Sequence, residues 1–439
     1  MNQVRGHAVV LGASMGGLLA ARTLSDFYER VTVVERDELP PDARNRKGVP
    51  QGRHLHVLLQ RGAEAFERLF PGLTRELAEA GAPRSQVLRE ARLVLSGHEL
   101  AAADTGAFLI QLTRPLLEST VRERVAALPG VKIMDGFDAV GLRVAGARVT
   151  GARIRNRRPG SAEEVVEADL VVDAMGRGGR TAAWLPLLGY QPPDEDRIKI
   201  DVTYLTRFLH LAEGTPAAGL QLLVGPVPGK PRGFGLFQQE GGRWVLTFAG
   251  MAGEVPAHGD EASHLAYAET VAPPEVLAAL RAAVPVTEFV THRFPTSVRR
   301  RYERLGAFPR GLIVFGDALC SFNPVYGQGM TVAALEAEAL RDCLRAGERD
   351  LARLFFRAAA KVIDPAWQLS AAGDLALPEI PGPRPPATRI INRYVARMHR
   401  VAAHDPVVAR SFARVSALLD PPRAIFAPRI LARVLGSRK

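Results

Sequence analysis

Residues 7–21 read HAVVLGASMGGLLAA, an apolar run broken by glycines and one serine, and two readings of it lead to different proteins. A secretory leader needs a positive start, an apolar middle and a small-residue cleavage site, which Arg5 and the run after it imitate only weakly. The residues that follow decide. In ARTLSDFYERVTVVERD (21–37), a helical pattern through Leu18, Ala21 and Leu24 gives way to a β-branched strand, Val31 to Val34, ending in Glu35. Strand, glycine-rich turn, helix and acid-terminated strand make the βαβ unit that binds a dinucleotide.

Each position in that unit has a physical task. Gly12 lets the chain turn sharply out of the strand, Gly17 lets the helix pack closely on the sheet, and the helix start offers free N–H groups to a pyrophosphate. Ser14 stands where GxGxxG has its middle glycine; it is small enough for close approach, with Met15 and Gly16 completing the turn. Glu35, followed by Arg36, can accept hydrogen bonds from the ribose hydroxyls of an adenosine.

The far end of the chain carries a second signal. GLIVFGDALCSFNPVYGQGMTVAALEAEAL (311–340) reads as a buried strand, Leu312 to Phe315, then Gly316 and Asp317, an irregular turn, and a long helix rich in Ala, Leu and Glu. This stretch resembles the second flavin-binding motif of FAD-dependent monooxygenases of the aromatic-hydroxylase type. The resemblance implies that Asp317 holds a ribityl hydroxyl, and that Pro324, Gly327, Gln328, Gly329 and Met330 bring a helix start to the flavin. There the N–H groups and positive dipole would stabilise the negative charge of reduced flavin. ADLVVDAMGRGGR (168–180) resembles the family's middle fingerprint, with Asp173-Ala174 where the family has Asp-Gly. QLTRPLLESTVRERV (111–125) puts Arg114 at a helix start, where relatives use an Arg near the FAD pyrophosphate.

RKGVPQGRHLHVLLQRG (46–62), together with RRRYERLGAFPRGLIVFGDALCSFNPVYGQGM (299–330), is similar to a narrower group, the flavin-dependent epoxidases of polyether-antibiotic pathways. That similarity runs through about Arg341, with a looser echo at DPAWQLS (364–370). By analogy Arg53 reaches the FAD phosphates. His54 and His56 have no third ligand nearby in the sequence, so no metal site is assigned.

The implied fold is α/β: a Rossmann-like FAD-binding domain assembled from 1–75, 91–190 and 295–345. A mixed or antiparallel substrate sheet comes from 76–90 and 191–294, and 346–439 forms a basic C-terminal helical region. Residues 137–170 alternate apolar positions between turn signals, as a small antiparallel meander would. GFGLFQQEGGRWVLTFAGM (233–251) reads as two strands joined at Glu240-Gly241-Gly242, with Trp244, Leu246 and Phe248 on one face, most simply as sheet core. The Pro-rich run LPEIPGPRPP (377–386) then sets off the C-terminal region.

Composition narrows the function. The 439 residues, 47% hydrophobic and 23% charged, contain no run of roughly 18 uncharged apolar residues such as a membrane span requires. Cys320 and Cys343 cannot form a disulfide framework, which points to a reducing, cytoplasmic compartment. The net charge of +11 is concentrated from Pro381 onward, where twelve Arg or Lys stand against two Asp. There Val408, Phe412, Val415 and Leu419 share a helix face opposite Arg410 and Arg414. The simplest reading is a docked helix with a solvated Arg face; a surface for anionic lipid or an anionic substrate is the alternative. No aromatics interleave with the arginines as in a nucleic-acid module.

No nucleophile elbow, paired-His motif or P-loop is present, so hydrolysis and phosphoryl transfer have no constellation. The resemblance implies an FAD-dependent monooxygenase that uses O2 through a flavin C4a-hydroperoxide to epoxidise or hydroxylate an apolar secondary metabolite such as a polyene. NADPH or NADH would supply electrons, without a second nucleotide fingerprint, and no catalytic side chain is assigned. Two alternatives stay open: a flavin reductase that saturates prenyl chains, and a non-catalytic prenyl or lipid carrier on the same scaffold.

Overall fold

The computed structural model describes residues 5–437 apart from 218, 257–258 and 348. Residues 1–4, and Arg438 and Lys439 of the basic tail, lie outside them, as does the Arg5 side chain. The strand Arg5–Leu11 is central to a parallel five-stranded sheet. Leu170–Asp173 and Leu312–Val314 lie on one side of it, and Tyr28–Val34 and Val131–Met134 on the other. Val9 lies opposite Val171 and Thr32. Such strands are covered on both faces, which is why they read as unbroken apolar runs.

The helices Met15–Leu24, Gly329–Ala346 and Leu351–Asp374 pack on one face of this sheet, burying Leu18, Leu19, Val332, Leu340 and Phe355. The antiparallel strands Phe137–Ala145, Arg148–Asn156 and Glu163–Glu167 form the expected meander and cover the other face through Val149 and Ile154.

A second sheet, of nine strands among the described residues, is built on the long strand Glu195–His210. Val290–Arg300 pairs along one edge of that strand; Trp244–Gly250, Arg232–Gln238 and Leu222–Val224 follow on the other. The hairpin at Glu240–Gly242 has Gly241 at φ 70° and Gly242 at φ 68°, a conformation costly for any residue with a Cβ. Trp244, Leu246 and Phe248 point to the face covered by the helices Glu261–Glu269 and Pro274–Ala282, so they are sheet core. The opposite face, through Phe208, Phe237 and Val245, meets the helices Pro386–Ala402, Pro406–Ser416 and Pro428–Gly436.

Two boundaries need correction: residues 295–300, expected in the dinucleotide half, continue the strand Val290–Arg300 of the large sheet. Residues 91–99 were expected in the dinucleotide half, but Arg92–Leu95 pairs with Leu222–Val224, and His98–Glu99 pairs with Arg92–Leu95, extending the large sheet. Leu93 and Leu95 find their apolar cover against the C-terminal helices, which no local pattern could show. No helix among the described residues is long and apolar enough to cross a membrane.

Candidate functional site

Two regions carry the site, and they adjoin where a Cβ on Gly316 would meet Gly16 Cα at 3.6 Å. At the first, Gly12 has φ +103°, and a Cβ there would sit 2.7 Å from the carbonyl oxygen of Ala174. A Cβ on Gly17 would collide with the carbonyl oxygen of Gly12. Both glycines are therefore required by the close passage of strand and helix. Glu35 accepts hydrogen bonds from the N–H of Ala13 at 2.7 Å and of Asp37 at 3.0 Å, tying the turn to the end of the second strand.

Around this turn lies a buried charge network. Arg114, the first residue of the helix Arg114–Ala126, donates to Ser14 Oγ at 2.8 Å and to Glu118 at 3.1 Å. Arg46 donates to Glu118 at 2.7 Å and to Asp37 at 3.0 Å, with Glu35 at 3.3 Å. Burial opposes ionisation of Glu118, but the charges and hydrogen bonds of Arg114 and Arg46 outweigh it and hold the carboxyl below its ordinary range. Arg46, Asp37 and Glu118 were not singled out from the sequence. A usable signal was the spacing of Arg114 and Glu118, four residues apart on one helix. Arg36 and Arg53 have exposed side chains outside this network.

At the second end, the N–H of Gly316 donates to buried Glu336 at 2.8 Å, which orients the turn carrying Asp317. Asp317 is exposed, and its carboxylate makes no hydrogen bond among the described residues. Its depth in the fold pushes its pKa up, while the charges of Arg114 and Arg177 oppose that shift. Asp173 is used differently, since its carboxylate accepts from the N–H groups of Met175, Arg180 and Thr181 and from the Thr181 hydroxyl. It holds the Gly176–Gly178 turn in shape and has little left for a ligand.

The turn Pro324–Tyr326 is pinned from below. Asn323 Oδ1 accepts from the N–H of Val325 at 3.1 Å and from the Tyr204 hydroxyl at 3.3 Å. Asp374 accepts from Asn323 Nδ2 at 2.7 Å and from the Tyr326 hydroxyl at 3.0 Å, leaving its Oδ2 buried and unpartnered. Burial pushes the Asp374 pKa up to about 7. Gly327 follows in the left-handed region at φ 65°, and Gln328 caps the helix Gly329–Ala346, whose first N–H groups have no partners within the helix. Met330 lies in that first turn.

Between the ends, His54 enters the large sheet. Its Nδ1 lies 2.8 Å from Thr206 Oγ1, which lies 2.8 Å from Thr247 Oγ1. Its Nε2 is buried without a partner, and burial, with help from His292, His56 and Arg53, pushes its pKa down to about 3. His54 is thus a neutral ring fixed in orientation. His56 turns elsewhere, its Nδ1 on the carbonyl oxygen of His54. Gln111, fully buried three residues before Arg114, has both amide atoms unpartnered. At the rim, a cavity of about 250 Å3 is lined by Arg177, Arg197, Thr296, Arg300 and Ser321, with the Arg177 guanidinium 4.1 Å from the Phe294 ring centre.

These residues fit a flavin dinucleotide. Two glycine turns that lead into helices adjoin at Gly16 and Gly316, and Asp317 beside them is exposed with a carboxylate that has no hydrogen bond among the described residues. The fold agrees. No family model matches the chain. It superposes on PqsL, a probable FAD-dependent monooxygenase from Pseudomonas aeruginosa, with a TM-score of 0.61 at 19% identity, covering 93% of this chain and 99% of that one. A flavoprotein/dehydrogenase from Cytophaga hutchinsonii gives 0.67 at 16% identity, covering 98% and 96%. The flavin-dependent brominase Bmp2, as a triple mutant, gives 0.66 at 13% identity, covering 98% and 99%.

The chain therefore has the fold of the FAD-dependent monooxygenases. It is also 39% identical over 450 aligned residues to Protein Rv3254 of Mycobacterium tuberculosis, covering 98% of this chain and 93% of that protein. It belongs to the Rv3254 family.

Proposed function

We propose that this protein is an FAD-dependent monooxygenase that inserts one oxygen atom from O2 into an apolar, uncharged small molecule, by epoxidation or hydroxylation, with NADPH or NADH as electron donor. The observation that carries the reading is the exposed Asp317 carboxylate, without a hydrogen bond among the described residues, in a turn that adjoins the Gly16 turn at the start of the helix Met15–Leu24. Gly12, Ser14, Met15, Gly16 and Gly17 would hold the pyrophosphate with Arg114, and Glu35 the adenosine ribose. Asp317 would take the ribityl chain, and Gly327 to Met330 the flavin ring. Bound FAD, once reduced, supplies the oxygen-activating chemistry.

The chain's own residues set the conditions for that chemistry. The first N–H groups of the Gly329–Ala346 helix favour negative charge beside them. His54 is neutral at any physiological pH, so a hydroxyl placed against its Nε2 would gain a hydrogen bond without a net charge entering the site. Thr206 and the rings of Tyr204 and His292 lie around it. The C-terminal helices against the same sheet face keep bulk water away.

The test is the visible spectrum of the purified protein, recorded before and after anaerobic NADPH and again on admitting air. A flavin spectrum that bleaches and returns, with an oxygenated product from a panel of polyenes and phenols, is the expected result. Peroxide as the sole product across the panel removes the oxygenase reading. A product formed without oxygen replaces it with a reductase, and a colourless protein that takes up no FAD ends the flavin assignment.

A further inference from the structure

The basic C-terminal region presents apolar and cationic groups at one edge of the molecule. The helix Pro386–Ala402 is amphipathic, and its later turns bury Met398, Val401 and Ala402. Its first turns run past the edge of the domain, so Ile390 is 64% exposed and Ile391 39% exposed. Ile390, Tyr394 and Arg397 follow one another along one side of the helix. Tyr394 stacks on Phe426, with ring centres 5.0 Å apart, and Arg397 donates to the carbonyl oxygen of Leu435 at 2.9 Å. Phe426, which is 37% exposed, thus packs about one turn along the helix from Ile390, and Leu435, which is 60% exposed, about two turns along. Large apolar side chains gathered at one rim need a partner.

The charge around them says what kind. Arg389, Arg393 and Arg400 stand at positions i, i+4 and i+11 of the same helix and make one exposed stripe. Arg423 precedes Phe426 by one turn of the short helix Pro422–Phe426 and is also exposed. None of these four side chains takes part in a hydrogen bond or an ion pair among the described residues. The region's two acids are already engaged, Asp405 by Arg433 and Asp420 by Arg414. An excess of arginine with no counter-charge, flanking exposed Ile, Phe and Leu, is complementary to a surface that is anionic in front and apolar just behind.

We propose that this edge docks the protein on an anionic lipid bilayer, with Ile390, Ile391, Phe426 and Leu435 entering the headgroup boundary and Arg389, Arg393, Arg400 and Arg423 pairing with lipid phosphates. The attachment is peripheral and independent of the flavin assignment. It is strongest at low salt, because the exposed charges are screened within about 8 Å at physiological ionic strength.

Full-length protein is sedimented with vesicles of neutral phosphatidylcholine, and with the same vesicles containing about 30% phosphatidylglycerol. Binding to the anionic vesicles only, falling as salt is raised, is expected. Each Arg→Ala change in the stripe should weaken it about fivefold. Ile390→Asp should weaken it further, with circular dichroism and melting temperature unchanged. Should an Ile390 variant misfold, Ile390→Ser and the salt titration of the natural chain decide the matter. Absence of binding at low salt overturns the proposal, as does equal binding to neutral vesicles. A dimer that Ile390→Asp dissociates, with no vesicle binding, would assign the edge to a second copy of the chain.

Discussion

At the Gly12 end of the site, Glu35, Asp37, Arg46, Arg114 and Glu118 satisfy one another within the protein, leaving Arg46 Nη2 as an open donor. Toward Asp317 and the large sheet, Asp317, Gln328, His54 and Asp374 each keep a polar atom without a partner among the described residues. The ion pairs of the first arrangement form within the protein whether or not a ligand is bound, and they contribute to folding. The second carries a standing desolvation cost that a ligand can relieve. Substitutions at the first end should therefore be read in stability, and at the second in ligand affinity or pH dependence.

The largest effect is expected from Glu118→Ala. It leaves two arginines buried without their shared counter-ion and should cost about 3–5 kcal/mol in chemical denaturation. A loss below about 1 kcal/mol would mean that the network is not the structure described. Asp317→Ala should reverse the pattern, changing the stability of the flavin-free protein by less than about 0.5 kcal/mol. Flavin affinity should fall roughly 10- to 100-fold, the value of a hydrogen bond to a charged group, as read by flavin fluorescence titration. Unchanged affinity would break the comparison at its most informative residue.

Asp374 sharpens the comparison through pH. Folded, it keeps its proton up to about pH 7, whereas the unfolded chain releases it near pH ~4. Between those values the folded state binds more protons, so this group's contribution is full below the unfolded pKa and is lost as pH rises through the folded one. Asp374→Asn should remove a slope of about 1.4 kcal/mol per pH unit from the stability profile in that window. An unaltered profile would show the carboxyl to be ionised in the fold. The smallest effect belongs to Arg177→Ala, which removes an exposed cation from the face of Phe294 and should cost about 0.5–1 kcal/mol.

Much of the first end was legible in the sequence, and less of the second. Gly12, Gly17 and Glu35 stand where strand, turn and helix must follow one another over some twenty residues, and backbone geometry admits few residue types there. Asp317 could be placed by the same logic of strand followed by helix start. Arg53 drew attention in RKGVPQGRH, yet Arg46 in the same phrase is the residue that the fold buries. Local pattern cannot choose between two arginines seven positions apart, because burial depends on what packs above them.

The sequence by itself determined the order of strands and helix starts, the glycine-rich turns between them and the segregation of charge into the tail. Each of these is set within a short segment by steric and periodic rules. Tertiary structure alone decided which charges meet. Arg46 reaches Glu118 across 72 positions, Asn323 reaches Asp374 across 51, and His54 reaches Thr206 across 152. Segments that far apart come within hydrogen-bonding distance only when the apolar faces between them pack, and that packing is a property of the whole chain.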